Sequence, residues 1–387
     1  MKSGELIAII NRDEDSRHQF KANISNAISL AREMVAFSNS GGGDIFVGVS
    51  DDGSFAGLTR EDVGKINLHI SNAASQHVRP SINPYTENIN TTEGLVVRIE
   101  IANGINKPYM DKDGVIWVKN GSDKRKATSR EEIQRLFQSA GLIHGDEAIV
   151  PGFGLSELDT KYFEGFCKKN ILDSLNYDDL PLENLLNNMN LMRDGFLNVC
   201  GALIFAENPS LKLPVFIIKA IAFYSNEIHD KDYQDREDLF GKLADVYKKS
   251  ISFIMRNMRH IQNGQGINSN GEPEIPKLVF EELIVNALIH RDYFISAPIR
   301  LFIFSNRIEI ISPGHLPNNL TIENIKMGNS NIRNPILASY ATKILPYSGI
   351  GSGIIRALKK YPHIKFENDK SGNQFIVTIF RKNAIDQ

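Results

Sequence analysis

The sequence predicts a multidomain α+β protein. Its 387 residues are enough for two or three domains that each bury a core, and 42% hydrophobic with 23% charged residues is typical of globular chains. Predicted helices alternate with antiparallel hairpins, which is the pattern of an α+β sandwich. Two connectors rich in Gly and Pro, 141–154 and 263–276, separate predicted domains at 1–142, 155–262 and 276–387.

Composition and charge exclude several classes of protein. The longest nearly continuous apolar run, 215–223, is far below the roughly 20 residues that span a bilayer, and the N-terminus lacks the pattern of a secretory signal. We therefore expect a cytoplasmic protein with no membrane partner. Only Cys167 and Cys200 are present, too few for a disulfide framework or a zinc module. A net charge of −2 confines any nucleic-acid site to one region.

The first predicted domain, 1–142, mixes helices with strands. Its predicted elements are helices at 23–39 and 60–76, strands at 44–50, 94–101 and 115–119, and a closing helix from 128. Ser129 followed three residues later by Glu132 is capping-box material and marks the start of that last helix.

The second domain, 155–262, is predicted to be helical or mixed, either a plain connecting bundle or a winged-helix-like module. The third, 276–387, is predicted to be an α/β sandwich. The predicted elements here are helices over 159–191, 236–258, 277–291, 331–341 and 353–361, and strands at 215–224, 300–304, 308–311 and within 364–380.

A glycine-rich turn, SNSGGGD, connects the helix predicted at 23–39 to the strand predicted at 44–50. Such a turn needs positive φ and close approach of the backbone, which glycine allows. Three blocks occur in order: E-x4-Q-F-K from Glu14, AFSNSGGGDIFVGVSDDG, and WVKNGS from Trp117. Together they resemble the Schlafen-type AlbA-like domain over about 140 residues. The resemblance implies a nucleic-acid partner, DNA or RNA.

Some animal members of that family cleave RNA with three carboxylates, so the resemblance also implies a candidate set of catalytic acids. Glu14 matches the first of these acids, Gln19 replaces the second, and Asp51 approximately matches the third. A neutral amide is a poorer ligand than a carboxylate for a divalent ion that activates water. A metal-dependent nuclease is therefore an alternative function and not the leading one. Asp44 and Glu33 are candidates to compensate for Gln19.

The segment from Trp117 to Arg135 is locally basic. Its Lys and Arg side chains, next to small polar residues, can contact phosphates, and the tryptophan can either stack on a base or belong to the core. The predicted nucleic-acid-binding residues are Lys119, Lys124, Arg125 and Lys126, with Lys21 added from the first block.

The helix predicted at 277–291 carries a polar stripe formed by Glu282, Asn286 and His290, at i, i+4 and i+8. A carboxylate one turn before an amide suits a nucleotide site, because Asn can offer an oxygen to Mg²⁺ and Glu can orient water. An ordinary amphipathic helix with a polar stripe is the other interpretation.

This helix resembles the Glu-x3-Asn motif of the GHKL ATPase superfamily, which includes gyrase and histidine kinases. Gly349, Gly351 and Gly353 resemble its glycine-rich lid, and EELIVNALIHRDY, RIEIISPGHLP and NSNIRNP resemble the bacterial subgroup often labelled RecG-like C-terminal or transcriptional regulator. The resemblance implies ATP and Mg²⁺ as cofactors. It also implies Glu282 as the catalytic base, Asn286 as metal ligand, and His290, Gly314 and the three glycines as binding residues.

Two departures limit what the resemblance implies. GHKL proteins read adenine with the acid of an Asp-x-Gly-x-Gly motif, whereas this sequence has Ser312-Pro313-Gly314 there. The P-loop of a helicase motor, G-x4-G-K-[ST], is absent from the sequence, which excludes translocation along DNA by that mechanism.

We therefore expect a nucleic-acid-binding protein with an ATP-binding-like domain, acting as a nucleotide-responsive regulator or a defence-type effector. The metal-dependent nuclease is one alternative, and an oligomeric scaffold with degenerate pockets is another. A homo-oligomer is the default expectation for the assembly.

Overall fold

The computed structural model describes residues 1–170, 180–228, 232–261, 271–317 and 320–381. Within that part, the chain divides into two compact units, Met1–Ile143 and His144–Gln387. Both units combine helices with β-sheets, so the protein is a multidomain α+β protein. The predicted loop at 263–276 lies outside the described residues over 263–270, as does the part 171–179 of a predicted helix.

The first unit contains a four-stranded sheet in the order β1-β2-β5-β4, a two-stranded sheet of β3 and β6, and the β7–β8 hairpin. Its helices are α1 (Ser3–Ile10), α2 (Ala27–Ser40), α3 (Arg60–Asn72) and α4 (Arg130–Ser139). Its strands are β1 (His18–Lys21), β2 (Gly43–Val47), β3 (Val78–Arg79), β4 (Tyr85–Thr91), β5 (Gly94–Ile101), β6 (Met110–Asp111), β7 (Trp117–Asn120) and β8 (Asp123–Lys126).

The two faces of this sheet bury different cores. Alternation along β2 directs Ile45 and Val47 into the larger core with α2 and α3, and Phe46 into a smaller core with Leu6 of α1. The glycine turn behaves as predicted: Gly41 ends α2 with φ 123°, and a side chain at Gly42 would meet a backbone oxygen at 2.6 Å. Ser129 caps α4 by accepting from the backbone N–H of Glu132.

The second unit is built on a six-stranded sheet in the order β12-β11-β15-β16-β18-β17, where β11 and β15 are parallel and the other pairs antiparallel. Its helices are α5 (Thr160–Asn170), α6 (Leu182–Asn188), α7 (Val199–Phe205), α8 (Leu243–Arg256), α9 (Lys277–His290), α10 (Ile322–Lys326), α11 (Pro335–Ile344) and α12 (Gly353–Lys360). Its strands are β9 (Met192–Arg193), β10 (Phe196–Leu197), β11 (Ile218–Phe223), β12 (Tyr233–Leu239), β13 (His260–Ile261), β14 (Glu272–Pro273), β15 (Ile299–Ile303), β16 (Arg307–Pro313), β17 (Ile364–Asp369) and β18 (Gln374–Phe380).

The predicted separation of 155–262 from 276–387 needs correction. Strands β11 and β12 come from the first of these segments, yet β11 pairs with β15 of the second and extends the same sheet. One hydrophobic core joins residues of both segments, including Phe205, Ile254 and Leu283. The two predicted domains therefore form one compact unit.

The helix predicted at 236–258 begins later than expected. Residues Tyr233–Leu239 form the edge strand β12 instead, and the helix that follows starts at Leu243. The strand is rich in charge, which is usual at a sheet edge but lowers its strand propensity in the sequence. In the described residues, no helix is both long and apolar enough to cross a membrane.

Candidate functional site

A cavity in the second unit lies between α9, the ends of β16 and β18, and the segment 325–356. It encloses about 1040 Å³ when the space that opens to solvent is included. Like most small-molecule sites, this cavity combines an apolar wall with a few polar groups. Its apolar wall contains Ile310, Phe366 and Val377 from the sheet.

The polar stripe of α9 faces this cavity. Glu282, Asn286 and His290 all line it, while Ile284 and Leu288 of the same helix are buried in the core. The helix thus has the two-sided character that its spacing predicts. This placement shows that the stripe belongs to a cavity and is not merely a solvated helix face.

The amide of Asn286 has a fixed orientation, because its Nδ2 donates to the carbonyl oxygen of Glu282 at 2.8 Å. The side-chain oxygen is thereby left to accept from a ligand or to coordinate a cation. Burial, together with the nearby charge of Arg333, lowers the pKa of His290 to about 4. His290 is therefore a neutral imidazole at neutral pH, able to hydrogen-bond a ligand without adding charge.

Glu282 is buried and bound by an arginine from α12. Nε and a terminal nitrogen of Arg356 both lie 2.7 Å from Oε1 of Glu282, and another terminal nitrogen donates to the hydroxyl of Ser352 at 2.7 Å. The carboxylate predicted to orient water is therefore held in an ion pair. Arg356 also lines the cavity.

The glycine segment before α12 reaches the cavity in part. Gly351 and Gly353 line it, whereas Gly349 is exposed and is not among the described residues that do so. A Cβ at Gly351 would lie 2.2 Å from the carbonyl oxygen of Gly328, and one at Gly353 would lie 2.5 Å from Oε2 of Glu282. The predicted role of Gly349 in binding a cofactor stays a prediction.

Gly314 closes the cavity at the end of β16. Its φ is 98°, and a Cβ there would come within 2.2 Å of a guanidinium nitrogen of Arg333. Ser312, at the position where GHKL proteins carry the adenine-reading acid, lines the cavity and donates weakly to the carbonyl oxygen of Ala287 at 3.3 Å. A hydroxyl therefore occupies the place of the carboxylate.

A nucleotide with Mg²⁺ requires oxygen ligands for the metal ion. The free oxygen of Asn286 and the carboxylate of Glu282 are oxygen ligands of the kind that Mg²⁺ prefers, and both belong to the same helix face. Gly314 and Gly351 keep the backbone close to Arg333 and Gly328, at positions where any side chain would clash with those residues. These residues fit the group, and the magnesium ion would supply charge neutralisation for the phosphates.

The first unit has a polar cluster between β1, α2 and the β7–β8 hairpin. Lys119 Nζ lies 3.4 Å from Oε1 of Gln19, and Lys124 Nζ lies 2.5 Å from Oε1 of the buried Glu33. Burial lowers the pKa of Lys119, against the opposing charges of Glu33 and Glu14. The register pairs Lys119 directly with Lys124, so both project from one face of the hairpin.

The other predicted phosphate-contacting residues are divided between the two faces of the hairpin. Arg125 projects from the opposite face and makes two bonds to Glu132, at 2.7 and 2.9 Å. Lys126 is exposed, with its ammonium 5.7 Å from the ring centre of Trp117, whose indole N–H donates to Asp111. Lys21 is partly buried on β1, on the same side of that strand as Gln19.

The three positions of the nuclease alternative do not form a carboxylate cluster. Glu14 accepts from the backbone N–H of Phe20 at 2.7 Å, Gln19 contacts Lys119, and Asp51 is exposed in the turn after β2. Asp44 is bound by Arg98 at 2.8 Å and does not compensate. In the ranges that the structure describes, no three His, Cys, Asp or Glu side chains could hold a metal ion together.

Comparison with known proteins finds one family match in each of the two compact units. Residues 14–128 match the family model described as "Schlafen, AlbA_2", and residues 296–379 match the one described as "Putative ATP-dependent DNA helicase recG C-terminal". The chain carries a Schlafen AlbA_2 domain and a RecG-type, ATPase-like C-terminal domain. The resemblances identified in the sequence are confirmed. No curated protein matches the chain.

Two solved structures are similar to the chain. The DIP2311 protein of Corynebacterium diphtheriae is 20% identical, with a TM-score of 0.46, over 98% of this chain and 80% of that one. The N-terminal domain of a "Putative ATP-dependent DNA Helicase RecG-related Protein" from Nitrosomonas europaea is 19% identical, with a TM-score of 0.26, over 34% of this chain and 96% of that one.

Arg356 is the site residue that sequence reasoning missed. It follows Gly353 by three residues, so on a helix it lies on the same face as that glycine and is brought to Glu282. That spacing was a usable signal. The pairing of Lys124 with Glu33 had no comparable signal, because 91 residues separate the two in sequence.

Proposed function

We propose that this protein binds nucleic acid through its AlbA_2 unit and a nucleotide in the cavity of its ATPase-like unit, and acts as a nucleotide-responsive regulator. One observation carries the proposal: three separate parts of the sequence line the same cavity, with Glu282 and Asn286 in the first, Gly314 in the second, and Gly351 and Gly353 in the third. Two polar groups of a helix face and three backbone positions free of side chains are the parts of a phosphate-binding site.

Calorimetric titration of the full chain with ATP, ADP and GTP, each with and without Mg²⁺, tests the nucleotide part. Asn286→Ala removes the free amide oxygen, and we expect it to weaken Mg²⁺–nucleotide binding by about tenfold, or about 1.4 kcal/mol. The matched control is Asn187→Ala, an exposed amide on α6 outside the cavity. Equal affinities for the two variants would contradict the assignment of Asn286.

The nucleic-acid part depends on Lys126, the exposed cation on the hairpin face that also carries Lys119 and Lys124. Filter binding of tRNA and single-stranded DNA at several salt concentrations measures the number of phosphate contacts. Lys126→Gln should lower the salt slope by about one contact. Lys65→Gln is the control, because it removes the same charge from the surface of α3 in the same unit.

The regulatory part is a statement about linkage. If the nucleotide changes nucleic-acid affinity, nucleic acid must change nucleotide affinity by the same factor. Both titrations, each repeated with the other ligand saturating, measure that factor. A factor of one in both directions would remove the regulator. Melting that no nucleotide shifts would instead favour a scaffold with degenerate pockets, since a ligand that binds only the folded state raises stability.

A further inference from the structure

The cavity of the ATPase-like unit contains one cation and one anion that neutralise each other. Among its described lining residues, Arg356 is the one Lys or Arg and Glu282 is the one Asp or Glu, and they form an ion pair. His290 adds no charge at neutral pH because burial lowers its pKa to about 4. An anionic ligand therefore enters a site whose only guanidinium is already engaged.

The geometry of this ion pair leaves it open to competition. Two nitrogens of Arg356 contact the same oxygen, Oε1 of Glu282, while Oε2 lies against Gly353. The strong arrangement between a guanidinium and an oxyanion has two parallel bonds to two different oxygens. The arginine side chain is also 41% exposed, so the pair is screened by solvent.

A phosphate group offers what the carboxylate in this pair does not. It carries several oxygens at the spacing of the guanidinium fork and more than one negative charge. A third nitrogen of Arg356 donates to the hydroxyl of Ser352 at 2.7 Å, and a phosphate does not need this nitrogen. Only the two contacts to Oε1 have to be exchanged for phosphate contacts to accommodate the ligand.

We infer that Arg356 recognises the phosphate end of the ligand and that Glu282 is a built-in competitor for the same guanidinium. The inference rests on the proposed nucleotide site and names the part of the ligand that Arg356 binds. It has a directional consequence. Removing Arg356 weakens binding of phosphate-bearing ligands, whereas neutralising Glu282 strengthens it, although both residues line the same cavity.

The competition also gates Glu282. While Arg356 holds Oε1, that oxygen cannot accept a proton from water or bind a cation. When phosphate takes the guanidinium, Oε1 is released inside the cavity. Oε1 thus becomes available only after a phosphorylated ligand has arrived.

Calorimetric titrations of the full chain in EDTA test the inference without a contribution from Mg²⁺. The probes are adenosine, AMP, ADP, ATP and inorganic tripolyphosphate. Arg356→Gln should weaken ATP and tripolyphosphate by about tenfold or more, and leave adenosine unchanged. Glu282→Gln should tighten ATP and tripolyphosphate by about two- to fivefold. Lys359→Gln, an exposed cation on the same helix, is the control with the same charge change.

The double variant Glu282→Gln/Arg356→Gln covers the case in which Arg356→Gln alone misfolds by leaving Glu282 buried without a partner. It contains two neutral amides at the two positions, and it should bind ATP about as weakly as Arg356→Gln. Melting curves recorded without ligand show which variants are folded.

Each outcome decides the inference. Opposite effects of the two single variants on ATP support it. Weakening by both, or no change in either, overturns it and leaves the proposed nucleotide site intact. If tripolyphosphate binds through Arg356 while no nucleotide or nucleoside binds, the inference stands and the proposed nucleotide function fails. If no probe binds any variant, both are overturned.

Discussion

Asp146 provides a stability prediction that can be calculated from the structure. The side chain is fully buried, its Oδ2 accepts from the backbone N–H of Leu337 at 2.8 Å in the first turn of α11, and its Oδ1 has no partner among the described residues. Burial raises the pKa of Asp146 from 3.8 to about 6, because the ionised form loses its hydration.

The sign of the pH effect follows from that shift. The folded state binds the proton more tightly than the unfolded state, so the favourable contribution is complete below pH 3.8 and is lost as pH rises through 6. A shift of about two units corresponds to a loss of about 3 kcal/mol in the free energy of unfolding. About 2 kcal/mol of that loss falls between about pH 4.5 and pH 8.

Asp146→Asn isolates this contribution, because it keeps an acceptor for Leu337 and removes the titration. We expect the variant's free energy of unfolding, minus that of the wild type, to rise by about 2 kcal/mol from about pH 4.5 to pH 8. Urea unfolding of both proteins across that range measures it, and the subtraction cancels the other titrating groups. Parallel curves would refute the reasoning.

Two further predictions use matched variants. Gly351→Ala places a Cβ 2.2 Å from the oxygen of Gly328, whereas Gly349→Ala has a similar positive φ but meets nothing closer than 3.8 Å. Backbone strain should cost both variants about 1 kcal/mol, and Gly351→Ala should lose more because of its additional clash. Urea unfolding should therefore show a clearly larger loss in the free energy of unfolding for Gly351→Ala, and equal losses would disprove the close contact. Lys124→Met leaves Glu33 buried without its partner and should destabilise the AlbA_2 unit by about 3 kcal/mol. The double variant Glu33→Gln/Lys124→Met should recover most of that stability, because no unpaired charge is then buried. A double variant as unstable as the single one would be the contrary result.

Much of the fold followed from local signals. The helix predicted at 277–291 is α9, Lys277–His290, which follows Pro276 and is rich in apolar residues. The strand predicted at 94–101 is β5, Gly94–Ile101, which begins at a glycine turn and is rich in β-branched residues. Strand β12 was predicted as helix, since its pairing with β11 is a tertiary contact that overrides weak local propensity. The error in the domain boundary has a similar cause, because the pairing of β11 with β15 is also a tertiary contact.

The candidate site was predictable where one helix face or one turn carries it. Glu282, Asn286 and His290 were found by their spacing, and Gly353 by the motif that begins α12. The state of these groups could not be predicted in the same way. Whether Glu282 is free or paired depends on Arg356, which is 74 residues away in sequence and reaches it only through folding.

The shared sheet bears on how a nucleotide can act within the second unit. Because β11 is hydrogen-bonded to β15 in the same sheet as β16, which ends next to Gly314, part of the segment 155–262 belongs to the sheet that carries the cavity. The segment from Gly328 to Arg356 forms a wall of the cavity and contacts α9 at several points. Asn334 donates to the carbonyl oxygen of Ile289, Arg333 to that of His290, and Arg356 to the carboxylate of Glu282. Of these contacts, the ion pair of Arg356 with Glu282 is the one whose two residues both line the cavity, so the opposite-sign variants of Arg356 and Glu282 are the most direct measurement of how a ligand acts on this wall.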